Sequence, residues 1–179
     1  MRLKERSPVV FVAGDPIICA TGSSVELVKG RAVSSLTGRA RICIHKNDHE
    51  ELHEMLIALN RGSYVRPHKH SGKSESFHVV EGAAYVIIFE DDGQIKEAFK
   101  MAPYDAGKNV FYYQLSSDFY HTVIPITSCF VIHEVTRGPF DPAATIYAPW
   151  SPDPSETARV NKYLSQIEGA AWTHLNLEN

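Results

Sequence analysis

The chain has 179 residues, which is enough for one domain with a substantial core and too few for two ordinary domains. Its 18 basic and 21 acidic residues give a formal net charge of −3, and the basic residues form no long run. This balance argues against nucleic acid or a membrane as a partner and favours a small-molecule ligand. Cys19, Cys43 and Cys129 are far apart and odd in number, which predicts buried thiols in a reducing compartment rather than a disulfide framework.

The N-terminal segment begins like an export signal, with basic residues before the apolar run at residues 8–14. Asp15-Pro16 ends this run after about seven residues, which is short for a signal core and far too short for a membrane span. We therefore expect a cytoplasmic protein without a transmembrane segment.

Residues 1–38 predict strands and a short helix that pack on a barrel. One or two strands are expected within residues 9–20, around the turn at Asp15-Pro16. Ser23 and Glu26 then resemble a capping box, and Gly30 offers a helix stop. Residues 39–45 alternate polar and apolar side chains, as a half-buried strand does, and residues 47–53 predict a turn or a short helix.

A close series of short strands follows. Asp92-Gly93 between two of them is a strong two-residue hairpin signal. Many short strands at close spacing are typical of a sandwich or a barrel. The predicted strands cover residues 54–59, 64–70, 75–80, 83–90, 94–101, 110–115, 119–124 and 129–135.

The pattern changes after Pro139, where several prolines end sheet formation. Asp153-Pro-Ser-Glu156 is a capping box with proline at the first helical position, and apolar residues at helical spacing follow it as far as Gly169. This predicts a C-terminal helix whose apolar stripe packs on the barrel wall or on a second subunit. We therefore divide the chain into an N-terminal segment (1–38), a sandwich or barrel of strands (39–152) and a C-terminal helix and tail (153–179).

Four side chains of the central segment favour a metal site. His68 and His70 are two residues apart, so on a strand they point to the same face. Residues 71–74 carry turn chemistry, so Glu75 begins a returning strand and can face both histidines. His121 lies in another strand-like run. Nitrogen and oxygen ligands without thiolate suit Fe, Mn, Ni, Cu or Zn, and four protein ligands leave one or two coordination positions open.

The same residues resemble a known motif. Residues 62–82 resemble the first motif of the cupin superfamily at each anchor position: Gly62, His68, His70, Glu75 and Gly82. His121 resembles the histidine of the second motif, although Ser116-Ser-Asp118 replaces its Pro-x-Gly turn and Pro125 replaces its asparagine. The resemblance implies a mainly all-β jelly-roll barrel, the double-stranded antiparallel β-helix, with one bound divalent metal ion.

Further segments are similar to the WbuC-type cupin-fold metalloproteins, which are often encoded beside bacterial surface-polysaccharide genes. These segments are residues 63–70, 89–93, 121–123, Glu134 and residues 138–141. The resemblance spans roughly residues 39–152. It implies a role in polysaccharide biosynthesis, and, because cupins commonly dimerise, a homodimer.

Alternation along the ligand strands also predicts side chains that line the pocket. Tyr64 and Arg66 share the predicted face of the two strand histidines, and Phe77 shares that of Glu75. A guanidinium near a metal can hold a carboxylate or phosphate with two hydrogen bonds. Tyr64, Arg66 and Phe77 are therefore candidate substrate-binding residues, with the alternative that Arg66 pairs with a structural acid.

Two further groups of residues are candidates for function. Only one of His133 and Glu134 can point inward on a strand, and the resemblance favours Glu134 as a catalytic residue. His45, His49 and His53 form a second histidine cluster, but it lacks the glutamate of a His-Glu-x-x-His arrangement. It is a weak candidate for a second metal.

Three functions fit these features. The first is a metal-dependent enzyme acting on a small anionic or sugar-derived metabolite, by isomerase- or epimerase-like chemistry in which Glu134 moves a proton, or as an Fe(II) dioxygenase. The second is a non-catalytic metal-containing module that binds or senses a small molecule. The third is a domain in which the metal only stabilises the barrel. Catalysis is the preferred interpretation.

Overall fold

A computed structural model describes residues 1–105 and 107–177. Residues 178 and 179 of the predicted C-terminal segment, and residue 106 of the barrel, lie outside the described residues. The strands are β1 (Leu3–Ser7), β2 (Val10–Ala13), β3 (Arg39–Cys43), β4 (Leu52–Asn60), β5 (His68–His70), β6 (Glu75–Glu81), β7 (Ala84–Phe89), β8 (Ile95–Met101), β9 (Tyr112–Leu115), β10 (Tyr120–Pro125), β11 (Cys129–Arg137) and β12 (Thr145–Tyr147). The α-helices are α1 (Gly22–Val33) and α2 (Thr157–Leu177).

The strands form two facing sheets. The first has the order β1-β2-β3-β4-β11-β6-β9, and the second has the order β12-β5-β10-β7-β8. Within them, β4-β11-β6-β9 and β5-β10-β7-β8 are two four-stranded sheets in which every neighbouring pair is antiparallel. Eight strands interleaved between two sheets in this order form a jelly roll, so the predicted fold class is confirmed.

The space between the sheets is filled by alternate residues of the facing strands, because successive side chains of a strand point to opposite faces. Phe77, Val86, Val123, Phe130 and Ile132 are all buried there. This apolar packing fills one part of the interior and leaves the rest of it to the site described below.

Each helix covers the outer face of one sheet. In α1, Val28 and Ala32 are fully buried against the outer face of the first sheet. In α2, Ile167 and Ala171 pack on the outer face of the second sheet. The barrel wall, one of the two partners expected for the C-terminal helix, is therefore its contact within the chain.

The N-terminal segment differs in detail from the sequence-based prediction. The first strand lies before Pro8, at Leu3–Ser7, and no strand forms between Pro16 and α1. α1 begins after Thr21, whose backbone N–H donates to Ser24 Oγ at 3.1 Å, rather than at the predicted pair. It continues past Gly30 because Ala32 is buried against the sheet.

Three other elements also depart from prediction. Residues 47–51 form the turn that was one of the two predicted alternatives, but residues 52 and 53 already belong to β4. The strand predicted to start at residue 64 starts only at His68, directly after Pro67. β12 was not predicted, and it pairs with β5 along its whole length.

The C-terminal helix is shifted and longer than predicted. Its predicted cap instead closes a separate turn, in which Asp153 N–H donates to Glu156 Oε2 at 3.0 Å and Ser155 N–H donates to Asp153 Oδ1 at 3.0 Å. The helix follows at Thr157 and passes Gly169 because Ala171, two residues later, is buried. No helix in the described ranges is long and apolar enough to cross a membrane.

The three cysteines carry free thiols in different environments. Cys43 is buried and Cys129 is half-buried. Cys19 is exposed, so the prediction of a buried thiol is wrong there. It lies in the irregular segment between β2 and α1, where no element covers it.

Candidate metal centre

Three strands from both sheets bring the four predicted ligands together at one end of the barrel. β5 carries His68 and His70, β6 begins at Glu75, and β10 carries His121 directly opposite His68 in the ladder. One ligand atom from each side chain lies within 4.8 Å of those of the others. Across the described part of the chain, this is the one group of His, Cys, Asp and Glu side chains with such geometry.

Backbone carbonyls fix the orientation of two of the histidines. His68 Nδ1 lies 2.8 Å from the carbonyl oxygen of Arg66, and His121 Nδ1 lies 3.1 Å from that of Phe119. A carbonyl oxygen only accepts hydrogen bonds, so Nδ1 carries a proton in both rings and donates it. In the neutral rings, Nε2 is left with a free lone pair. This arrangement is typical of metal-binding histidines.

Glu75 faces this lone pair at close range. Its Oε1 lies 2.8 Å from His121 Nε2, and its Oε2 lies 3.4 Å from His70 Nε2. Both Glu75 and His121 are buried, with 5% and 1% of their surfaces exposed, and His121 Nε2 has no hydrogen-bond partner. Two acceptors at 2.8 Å repel each other unless a proton or a cation lies between them. The donor set therefore fits a divalent transition metal.

The environment of the site keeps His68 and Glu75 in metal-binding form but favours a proton on His121. Burial, together with the nearby His121, lowers the pKa of His68 to about 3. Burial alone would raise the pKa of Glu75, but His121 and His70 hold it well below its usual value. Burial would lower the pKa of His121, but the Glu75 carboxylate raises it. A metal ion would therefore displace a proton from between His121 and Glu75.

A tyrosine supports the carboxylate from outside the ligand set. Tyr113 on β9 donates its hydroxyl to Glu75 Oε1 at 3.2 Å. Burial, followed by the Glu75 charge, raises the pKa of Tyr113 well above its usual value, so this hydroxyl remains a donor. Sequence alone gave no signal for this residue, because the β6–β9 pairing joins segments about 40 residues apart.

The ligands lie on the wall of a cavity of about 690 Å³. This volume is typical of sites for small molecules. Its apolar wall includes Ile57, Phe77, Val123 and Ile132. Phe77 is thus placed beside the ligands, on the same face of β6 as Glu75.

Glu134 also lines this cavity, whereas His133 does not. His133 points to the other face of β11, where its Nε2 lies 3.5 Å from Glu54 Oε1. Burial, followed by the Glu75 charge, raises the pKa of Glu134 to about 8. The charges that oppose this shift are those of Arg41, His121 and Arg39.

Arg66 and Tyr64 lie outside the cavity, contrary to the expectation from strand alternation. Arg66 donates from Nε to Ser151 Oγ at 3.1 Å and from its guanidinium to Asp153 Oδ2 at 3.1 Å. Tyr64 donates its hydroxyl to the carbonyl oxygen of Pro152 at 2.9 Å. The residues before Pro67 are not in a strand, so the period of two does not apply to them. Both side chains hold the C-terminal extension. For Arg66 this is the alternative role considered above, pairing with a structural acid, which is Asp153.

Two basic residues in the cavity were not predicted. Arg39 and Arg41 on β3 line it together with the metal ligands. Alternation in residues 39–45 predicts a half-buried strand but does not indicate that its polar face lines a cavity. α1 covers the apolar face of β3, so the arginine face turns toward the cavity.

The second histidine cluster does not assemble as a metal site. His45 and His53 stack face to face, with ring centroids 3.9 Å apart and planes 11° apart. His49 is exposed in the turn before β4. Stacked rings direct their nitrogens outward in parallel planes rather than toward a common point.

Comparisons with known proteins give limited matches. A family model described as a domain of unknown function (DUF6016) matches residues 22–101, which is less than half of the chain. No curated protein matches the chain. Similar solved structures include protein SO0799 from Shewanella oneidensis, with 6% identity and a TM-score of 0.48 over 58% of this chain and 66% of that one.

Two further structures are similar at the same level. One is the Cnp3 cupin domain of Schizosaccharomyces pombe, with 13% identity and a TM-score of 0.43 over 55% of this chain and 64% of that one. The other is KdgF from Halomonas sp., with 17% identity and a TM-score of 0.44 over 57% and 82%. The matched part spans less than two thirds of the first two structures. Since all three TM-scores lie below 0.5, the fold assignment rests on the strand order itself.

Proposed function

We propose that this protein is a mononuclear metal-dependent enzyme that acts on a small metabolite in the cavity beside His68, His70, Glu75 and His121. The observation that carries the proposal is the pair of buried acceptors, His121 Nε2 and Glu75 Oε1, held 2.8 Å apart on a cavity wall. Four protein ligands leave one or two positions open on a five- or six-coordinate ion. Because all four ligand residues line the cavity, a metabolite bound there would lie within reach of such a position.

The residues around the ligands support proton-transfer chemistry. A divalent Fe, Mn, Ni, Zn or Cu ion would supply Lewis-acid polarisation of a substrate oxygen. Glu134 lines the same cavity, and with its pKa near 8 it can give up or take a proton near neutral pH. A carboxyl group of this kind beside a polarised oxygen suits isomerisation or epimerisation. We assign Glu134 the proton-transfer role and Phe77 a contact with the substrate.

Several features of the proposal rest on the resemblance to the WbuC-type cupins. They are the role in surface polysaccharide biosynthesis, the sugar-derived substrate and the homodimer, whereas the proposed cytoplasmic location rests on the short N-terminal apolar run and the odd number of cysteines. From the sequence, Arg66 was the residue that suggested an anionic substrate, but in the structure it binds Ser151 and Asp153. The cavity itself supplies other cations for that purpose.

The test is metal analysis of protein purified without added ions, followed by a turnover screen with sugar nucleotides and keto acids. Stoichiometric metal with turnover that Glu134→Gln abolishes, at unchanged metal content, is the expected result. Iron with O₂ uptake would replace the isomerase assignment with a dioxygenase. Metal with tight ligand binding but no turnover would leave a binding or sensing module. Protein without metal under several growth conditions would refute the proposal.

A further inference from the structure

Two arginines line the cavity together with the metal ligands. On β3, Ala40 and Ile42 are buried beneath α1. Because side chains alternate along a strand, Arg39 and Arg41 project from the other face, and both line the cavity. Both arginines are exposed, whereas Ala40 and Ile42 between and beside them are buried.

These arginines lack the acidic partners that most others have. Within residues 1–105 and 107–177, six arginines lie within 4.0 Å of a carboxylate: Arg2, Arg6, Arg31, Arg61, Arg66 and Arg159. The arginines without such a pair in these ranges are Arg39, Arg41 and Arg137, and all three line the cavity. Arg137 ends β11 and is exposed at the rim. Unpaired guanidinium groups thus concentrate where a ligand would bind.

The two β3 guanidiniums also act on each other. The pKa of Arg39 is lowered, first by burial and then by the charge of Arg41, while Tyr147 and Glu134 act in the opposite direction. Two like charges in a partly desolvated wall are unfavourable without a counter-ion. No carboxylate of the described residues lies within 4.0 Å of either guanidinium, and Asp48, which lines the same cavity, pairs with Arg6. An anionic ligand would therefore supply the counter-ion that these two guanidinium groups lack.

We propose that Arg39 and Arg41 bind a carboxylate or phosphate group of the ligand. A guanidinium matches the planar oxygen pairs of both groups and holds them with two parallel hydrogen bonds. This inference rests on the proposed function for one point only, which is that the other end of the ligand reaches the metal centre. It names the substrate class as a metabolite with an anionic group at the end remote from the reacting oxygen.

The distance across the sheet sets the size of this ligand. β3 lies three strands from β6, which carries Glu75, and strands are about 4.8 Å apart, so the two strands are separated by about 14 Å. The arginine side chains reach into the cavity and shorten this span. A free carboxylate or phosphate ion is too small to bridge it, whereas a sugar phosphate or sugar acid fits both the span and the cavity volume of about 690 Å³.

The test measures anion binding by calorimetry in metal-free protein, so that a metal ion cannot bind the probe. Inorganic phosphate and malonate are titrated into the wild type, Arg39→Gln/Arg41→Gln, and the control Arg159→Gln/Lys162→Gln, which removes the same charge from the exposed face of α2. We expect the control to bind like the wild type. Each cavity substitution should weaken Kd about tenfold. The tighter of the two probes identifies the group as phosphate or carboxylate.

Equal affinity of the cavity variant and the control for both probes would overturn the inference, and so would a wild type that binds neither probe. If the glutamine double variant fails to fold, Arg39→Lys/Arg41→Lys keeps both charges but not the two-pronged geometry, and it should bind several-fold more weakly than the control. Metal content separates the two proposals. It should stay unchanged in the arginine variants. A wild type that binds phosphate through these arginines but never holds metal would refute the proposed function and leave the anion site standing.

Discussion

His121 Nε2 lies 2.8 Å from Glu75 Oε1, and both side chains are buried in the wall of the cavity. Since His121 Nδ1 donates to the carbonyl oxygen of Phe119, the two facing atoms are both acceptors in the neutral ring. Such a pair is stable only with a proton or a metal ion between the two atoms. This relationship explains why the site favours metal and leads to the first two predictions.

Glu75→Gln should separate the metal site from the stability of the barrel. The amide can donate a hydrogen bond to His121 Nε2, so the metal-free variant should melt no lower than the metal-free wild type above pH 7. Its affinity for metal should fall by at least about tenfold, because a charged ligand is lost. Melting curves with and without added metal measure both effects. Glu97→Gln, an exposed position on β8, is the matched control and should keep the full metal-induced shift in Tm.

Tyr113→Phe should weaken metal binding without removing a ligand. The Tyr113 hydroxyl donates to Glu75 Oε1 at 3.2 Å, and loss of such a supporting hydrogen bond typically costs about 10- to 100-fold in metal affinity. Competition with a fluorescent chelator measures the change. Tyr112→Phe is the control, because this neighbour on β9 is exposed. Equal affinities of the two variants would show that Tyr113 does not support the carboxylate.

Arg66→Gln should affect stability and not the site. Arg66 joins the segment before β5 to Ser151 and Asp153, and its guanidinium lies over the ring of Tyr147 at 5.1 Å. Loss of these contacts should lower the free energy of unfolding by about 1 kcal/mol, since Asp153 is largely exposed. Urea denaturation measures this value. Unchanged stability together with lost phosphate binding would show instead that Arg66 binds ligand in the cavity.

Glu134 should make the stability of the metal-free protein depend on pH. Its pKa rises from 4.5 to about 8 in the folded chain, so between these values the folded state keeps a proton that the unfolded state has released. Stability from this group is therefore present below about pH 4.5 and is lost as pH rises toward 8, by at most about 1.4 kcal/mol per pH unit. Glu134→Gln should remove this slope, so the variant gains stability relative to the wild type across the window. If the free energy of unfolding depended on pH equally in the wild type and in Glu134→Gln between pH 5 and pH 8, the prediction would be wrong.

The sequence was most informative where ligands are close along the chain. His68 and His70 are two residues apart on one strand, and a short turn leads from them to Glu75. Strand periodicity and turn chemistry therefore suffice to bring the three side chains together. His121 is about 50 residues from His68, and only the resemblance to a known motif connected them. The ladder pairs the two residues directly.

Sequence reasoning failed where local pattern and tertiary context disagree. Arg66 was given a strand face, but the strand starts only after Pro67, and the side chain turns toward Asp153. Arg39 and Arg41 lie on a predicted strand, but nothing in the local pattern indicates that their face lines a cavity. The alternation of polar and apolar residues along a strand does not by itself show which other element will pack on each face. In this chain α1 covers Ala40 and Ile42 and leaves the arginines to the cavity.

The most direct test of the central claim is the metal content of the purified chain and of His68→Ala, measured by mass spectrometry without added ions. His68 supplies one of the four converging ligand atoms, and its Nδ1 is held by the Arg66 carbonyl oxygen at 2.8 Å. The account predicts about one transition-metal ion per wild-type chain and a large loss of that ion in the variant, with the fold retained. A His68→Ala protein that keeps its full metal content, or a wild type that never holds metal, would contradict it.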